Sequence, residues 1–115
     1  MKLTDLDARF LRILPPDPEM PGRRVYQQTT ELAGADGIEF LCPKCALKNG
    51  GPVGTHAVRC WAPHVPQDHY PKPGRWPMAG TGLHDVTLNP SIQINGGPTC
   101  DAHFWVRDGA IVDLT

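Results

Sequence analysis

The chain is poor in aromatic residues, in runs of like charge and in long apolar stretches, and each shortage removes a class of explanation. Aromatics make up 7% of the residues against a hydrophobic share of 40%, so any core must be thin. The net charge is −1 and Arg23-Arg24 is the single adjacent basic pair, which leaves no electrostatic case for nonspecific nucleic-acid binding. No apolar window approaches the roughly 20 residues of a membrane span. The opening "MKLTDLDARFLRILPPDP" has no unbroken apolar core and no small-residue cleavage site, so it does not read as a secretory signal.

Proline and glycine are plentiful instead, at 13 and 12 of 115 residues. Helices should be short and loops long. The length suits one domain spanning 1–115. Four cysteines without an export signal indicate a reducing, cytoplasmic setting, where thiols bind metal or do redox chemistry more often than they form structural disulfides.

Hydrophobic spacing supplies the elements. Leu6, Phe10, Ile13 and Leu14 recur at helical spacing behind Thr4, which predicts a short amphipathic helix or an extended arm within residues 1–22, ended by "PPDPEMPG". "RVYQQTT" (24–30), "GIEFLC" (37–42) and "THAVRCW" (55–61) alternate as strands, the last with His56, Val58 and Cys60 on one face. Residues 62–82 hold five prolines and show no periodicity, a loop long enough to be functional or held by a partner. "DVTLNPSIQI" (85–94) is a strand interrupted at Pro90, which implies an edge or a bulge. "HFWVRDGAIVDL" (103–114) is a hairpin about Asp108-Gly109. The expected fold is mainly β: a small antiparallel β domain stapled by a metal site, with an N-terminal helix or arm and a long Pro-rich loop.

The metal expectation comes from "CPKC" and "CDAH". Cys42 with Cys45, and Cys100 with His103, form two ligand pairs of x2 spacing beside β-turns, the arrangement that presents four donors to tetrahedral Zn²⁺. His56 and Cys60 are reserve ligands. A redox reading of Cys42 and Cys45 lacks the surrounding βαβ pattern. Cys60, between Val58 and Trp61, reads as a buried thiol. His64, His69 and His84 read as surface histidines, and Trp76 as packing from the loop.

"LTDLDARFL", the Cys-containing turn after "IEFLCP", "LHDVTLNPSI" and "CDAHFWVRDGAIV" resemble, in that order, a family of small uncharacterised phage and prophage proteins. The resemblance covers most of the chain except the Pro-rich loop. It implies metal-site roles for Cys42, Cys45, Cys100 and His103, and a signature strand through Thr87, Leu88, Pro90, Ser91 and Ile92. The sequence departs from that pattern in its plain "CPKC" and in Ala102, where an aromatic often precedes the His. The ammonia monooxygenase activity sometimes attached to the family needs a copper-type His cluster or membrane spans, and this sequence has neither.

Three functions follow as expectations. In the first, a structural zinc supports a surface for a viral or host protein partner, with no catalytic residue assigned and a location in the host cytoplasm or the virion. The second is a metal-dependent hydrolase using Asp85 or Asp101 as base with His84 beside it. The third is a zinc-ribbon-like nucleic-acid binder using Arg23, Arg24, Arg75 and Arg107 with Trp61, Trp76 or Trp105.

Overall fold

A computed structural model describes residues 1–95 and 100–115. Among the described residues eight strands form two antiparallel sheets. Sheet I contains β1 (Arg9–Ile13), β2 (Tyr26–Thr29), β3 (Gly37–Leu41) and β4 (Ala57–Trp61), in the order β2-β1-β3-β4. Sheet II contains β5 (Met78–Ala79), β6 (Thr87–Gln93), β7 (His103–Arg107) and β8 (Ala110–Val112), in the order β5-β6-β7-β8. One helix, α1 (Pro43–Asn49), joins β3 to β4. Among the described residues no helix is long and apolar enough to cross a membrane.

Alternation decides which side chains meet between the sheets. Ile38 and Phe40 from β3 and Val58 and Cys60 from β4 face Leu88 and Ile92 from β6 and Phe104 and Val106 from β7, all buried in one core. Phe40 and Phe104 meet edge-to-face across it, with ring centroids 6.0 Å apart, a geometry worth about 1 kcal/mol beyond the area buried. The outer face of sheet I carries a smaller cluster of Leu11, Trp61 and Val65.

The N-terminal segment departs from the expected helix or arm. Leu3–Leu6 form a single 3-10 turn, Asp7 turns the chain with φ +51°, and residues 9–13 become β1, an interior strand between β2 and β3. Phe10 pairs with Ile38 on one side and Thr29 on the other, and is fully buried. Helical spacing and strand pairing compete for the same apolar residues here; burial on two flanking strands wins over local propensity. Before the turn, the Leu3 N–H donates to Gly109 O (2.8 Å) and the Ile111 N–H to Met1 O (2.8 Å). The first residues thus belong to sheet II and β1 to sheet I.

Within residues 62–82 order comes from one side chain. The Arg75 guanidinium donates to the carbonyls of Val65, Pro66, His69, Pro71 and Gly74 at 2.6 to 3.1 Å. Such a loop has few main-chain partners of its own, and a five-donor fork supplies them. The Trp61 indole adds a bond to Tyr70 O (3.0 Å), and Arg24 holds Asp68 (3.3 Å) and the buried His69. His69 thus lies inside the fold, not at its surface.

The terminal hairpin follows its sequence signal: Asp108 and Gly109 take φ +49° and +73°, joining Arg107 to Ala110, as a two-residue turn requires. Gly109 has a second constraint, because a Cβ there would lie 2.5 Å from the His84 carbonyl. Gly109→Ala is expected to destabilise the chain by about 2 kcal/mol or more. The check is thermal unfolding: a midpoint equal to that of the unmodified chain would show that the turn accommodates a side chain.

Candidate functional site

Two groups of chemically capable side chains lie on opposite faces of sheet II. The first joins the sheets. Cys42 closes β3 and precedes Pro43, whose ring is tolerated at the first helical position because no intrahelical partner awaits its nitrogen; Cys45 follows in the first turn of α1. Gly50 ends the helix at φ +70°. The sequence suggested only a turn at Cys45, and proline at N1 with glycine at the exit is the signal that marks this as a helix. His56 enters through the sheet register: the Cys42 N–H donates to His56 O (2.9 Å), which makes the two residues cross-strand partners, with side chains on one face. Cys100 arrives from sheet II.

One donor atom from each of Cys42, Cys45, His56 and Cys100 lies within 4.8 Å of the others, and this group could hold a metal ion. The Cys42 and Cys100 sulfurs are 3.7 Å apart. That is far beyond a disulfide bond, and it matches the separation of about 3.8 Å between two thiolates each 2.3 Å from a tetrahedral ion. Cys42 and Cys100 are buried, Cys45 is half-buried and His56 exposed. Burial pushes the Cys42 thiol up to about 12, against the pull of the Cys45 amide. Burial also opposes ionisation of Cys100, but the Ala102 amide and the His56, Cys42 and Cys45 side chains outweigh it and bring that thiol down to about 7. The two sulfurs of this pair are thus shifted in opposite directions, and a bound cation would favour the thiolate form of both.

His103, paired with Cys100 in the sequence reading, is not among these four donors. The reason is parity. β7 begins at His103, with Ala102 O accepting from the Ile94 N–H (2.8 Å) just before it, and neighbouring side chains along a strand alternate between faces. Cys100 and Ala102 are buried, while His103 emerges on the outer face. The reserve residue His56 is the one brought in. Cys60 is fully buried in the core, where burial raises its pKa, and lies outside the group.

The second group is on that outer face. His103 Nε2 lies 2.8 Å from Ser91 Oγ, and both residues are half-buried. Ser91 is the one serine in the chain. It sits where the β6 register shifts between Leu88 and Ile92: Leu88 pairs with Val106 and Ile92 with Phe104, so Asn89, Pro90 and Ser91 together face Trp105. Such a bulge bends a strand and re-aims a side chain. The Trp76 indole fixes it by donating to Ser91 O (3.4 Å). His103 is held through its main chain, exchanging bonds with Thr115 at 2.9 and 3.1 Å. Among the described residues no carboxylate lies within ion-pair reach of His103, so the pair is a dyad and not a triad. Sequence reasoning placed Ser91 in a strand and His103 on a metal, and missed the pair; a lone serine on a bulged strand was the available signal.

The acids considered for metal-assisted hydrolysis have other partners. Asp85 accepts from the Gly82 N–H (2.8 Å), the Thr81 N–H (2.9 Å) and the Thr81 hydroxyl (2.8 Å), which hold it down to about 2. Asp101 is paired with Lys44 at 2.7 Å, and that bond lowers its pKa. This contact ties α1 to the segment carrying Cys100.

A metal in the four-donor group should appear as one ion per chain. It should be lost in Cys42→Ser and in Cys100→Ser, and kept in Cys60→Ser and His103→Ala, as read by elemental analysis of the purified proteins. Retention in His56→Ala with loss in His103→Ala would restore the ligand set read from spacing.

The family model described as bacterial ubiquitination-like system serine protease (BubE) matches residues 13–114. That description carries nothing of the phage or prophage origin that the sequence resemblance implied. No curated protein and no solved structure matches the chain.

Proposed function

Because the chain belongs to the bacterial ubiquitination-like system serine protease family (BubE), we propose that it is a serine hydrolase acting on a polypeptide, with Ser91 as nucleophile and His103 as general base. The observation that carries this reading is the 2.8 Å contact between His103 Nε2 and the hydroxyl of the chain's one serine. A family named for serine chemistry needs a serine, and Ser91 is the one that this sequence holds.

The chemistry follows from the geometry. With the ring proton on Nδ1, Nε2 accepts the Ser91 hydroxyl proton as Oγ attacks the substrate carbonyl carbon. Collapse of the tetrahedral species breaks the C–N bond, and the imidazolium returns its proton to the departing amine. Water then repeats the cycle on the acyl ester, with His103 again taking and returning a proton. The main-chain bonds to Thr115 and the Trp76 bond to Ser91 O keep the two side chains in register without a carboxylate.

The metal in this reading is zinc, and its task is structural. Cys42, Cys45, Cys100 and His56 would hold it, a donor set of the kind that structural zinc takes, and Asp85 and Asp101 are committed elsewhere. Zinc there would contribute folding free energy of about 10 kcal/mol, which a thin core needs. The protein partner expected from the sequence becomes, on this account, the substrate.

The test is covalent. A fluorophosphonate should add once, at Ser91, in the intact chain and not in Ser91→Ala, and His103→Asn should slow the addition by about 1,000-fold or more. Both variants should keep the metal and the fold. Labelling at a threonine or cysteine, or none in metal-loaded protein, would remove the serine-hydrolase reading.

A further inference from the structure

The dyad lies beside a place where two strands present unpaired edges to one cleft. In sheet I the Cys42 N–H bonds to His56 O and the Ala62 N–H to Asp36 O. In an antiparallel ladder this fixes the alternation: Val58 and Cys60 exchange bonds with β3, while Ala57, Arg59 and Trp61 turn their main-chain groups the other way. In sheet II the Ile94 N–H bonds to Ala102 O, so Ile92 and Ile94 bond to β7 and Ser91 and Gln93 turn outward.

Trp76 connects these two free edges. Its backbone N–H donates to Trp61 O (2.9 Å) and its indole to Ser91 O (3.4 Å). On one side of Trp76 the chain continues into β5, which pairs with the first half of β6. On the other side, among the described residues, no strand pairs with the second half of β6. Among the described residues nothing meets the N–H and C=O groups of Ala57, Arg59 and Gln93. A cleft of about 420 Å³ occupies this position, floored by Val58, Cys60 and Ile92 and walled by Trp76. Unpaired main-chain groups over an apolar floor match one ligand chemistry, a polypeptide in extended form, which satisfies donors and acceptors at strand spacing and places alternate side chains inward.

We propose that the polypeptide substrate docks here as an added strand, continuing the lane of β5 past Trp76 along the free edges of β6 and β4, so that its main chain passes beside Ser91. This rests on the serine-hydrolase reading for its consequence, though the binding can be measured without it. Because the recognising groups are main-chain, the site accepts many sequences and rejects folded segments.

The experiment has two arms, with unfolded β-casein as probe. In the first, Ser91→Ala protein carrying its metal is titrated with casein and followed by amide NMR; the amides of Ala57, Arg59 and Gln93 should shift together. In the second, Ala57→Pro removes an N–H that faces the cleft and none that bonds to β3. Its ratio of kcat/KM on casein to that on p-nitrophenyl acetate should fall by about tenfold, with metal content and near-UV circular dichroism retained, whereas Ala57→Val, which keeps the N–H, should hold the ratio. Casein that shifts other amides or none, or an unchanged ratio in folded Ala57→Pro, overturns strand docking. Failure of the serine reading looks different: neither the ester nor fluorophosphonate reacts, and the NMR arm still decides where the polypeptide binds.

Discussion

The convergence of Cys42, Cys45 and His56 from sheet I with Cys100 from sheet II is the constraint on which the rest of the molecule depends. The two sheets share a core with only two phenylalanines facing one another across it, Phe40 and Phe104, and the sulfurs stand at the end of that core where β3 leaves and β7 enters. Without a cation the group is unfavourable. Burial pushes the Cys42 thiol up to about 12, and the Cys100 sulfur lies 3.7 Å away. Binding an ion there turns a packing defect into a cross-link between parts of the chain distant in sequence. The Lys44–Asp101 pair at the rim acts in the same direction, but both partners are solvent-exposed and water screens the contact.

A cation in the four-donor group would secure the entry to β7. Cys100 lies three residues before His103, the first residue of that strand, and Cys100 is buried while His103 stands on the outer face. The bulge in β6 meets it there. With Leu88 opposite Val106 and Ile92 opposite Phe104, the residues Asn89, Pro90 and Ser91 together span one residue of β7, so Gln93 pairs with His103 and Ser91 meets the imidazole from the diagonal position.

How far the sequence could be read follows from the range of the forces involved. The Asp108-Gly109 hairpin, the interruption at Pro90 and the alternation of His56, Val58 and Cys60 are set by residues within a turn or a strand of one another, and their local signals were enough. β1 was harder to read because Leu6, Phe10 and Ile13 fit a helix equally well until β2 and β3 flank them. The metal group was legible in three of its four members. The fourth was assigned by spacing along the chain, to His103, where the structure uses spacing across a hairpin and selects His56. Ser91 was visible only as part of a strand, because its role depends on a partner twelve residues away whose side-chain direction no local pattern fixes.

These elements also account for the separation of metal from chemistry. A metal within reach of the dyad would compete for His103, since a neutral imidazole serves equally as ligand and as base. Opposite faces of one strand prevent this with no further device: the odd spacing from Cys100 to His103 keeps the imidazole away from the sulfurs while the peptide chain transmits their anchorage. The same parity leaves β6 with Ile92 and Ile94 bonded to β7 and Ser91 and Gln93 turned the other way. The alternation that places Ser91 on the outer face also turns the main chain beside it away from β7. In the proposed serine hydrolase the thin core, the stapled sheets and the unpaired edge become one design problem: a domain too small to bury its sheets completely leaves an edge free, and that edge is where an extended substrate would lie.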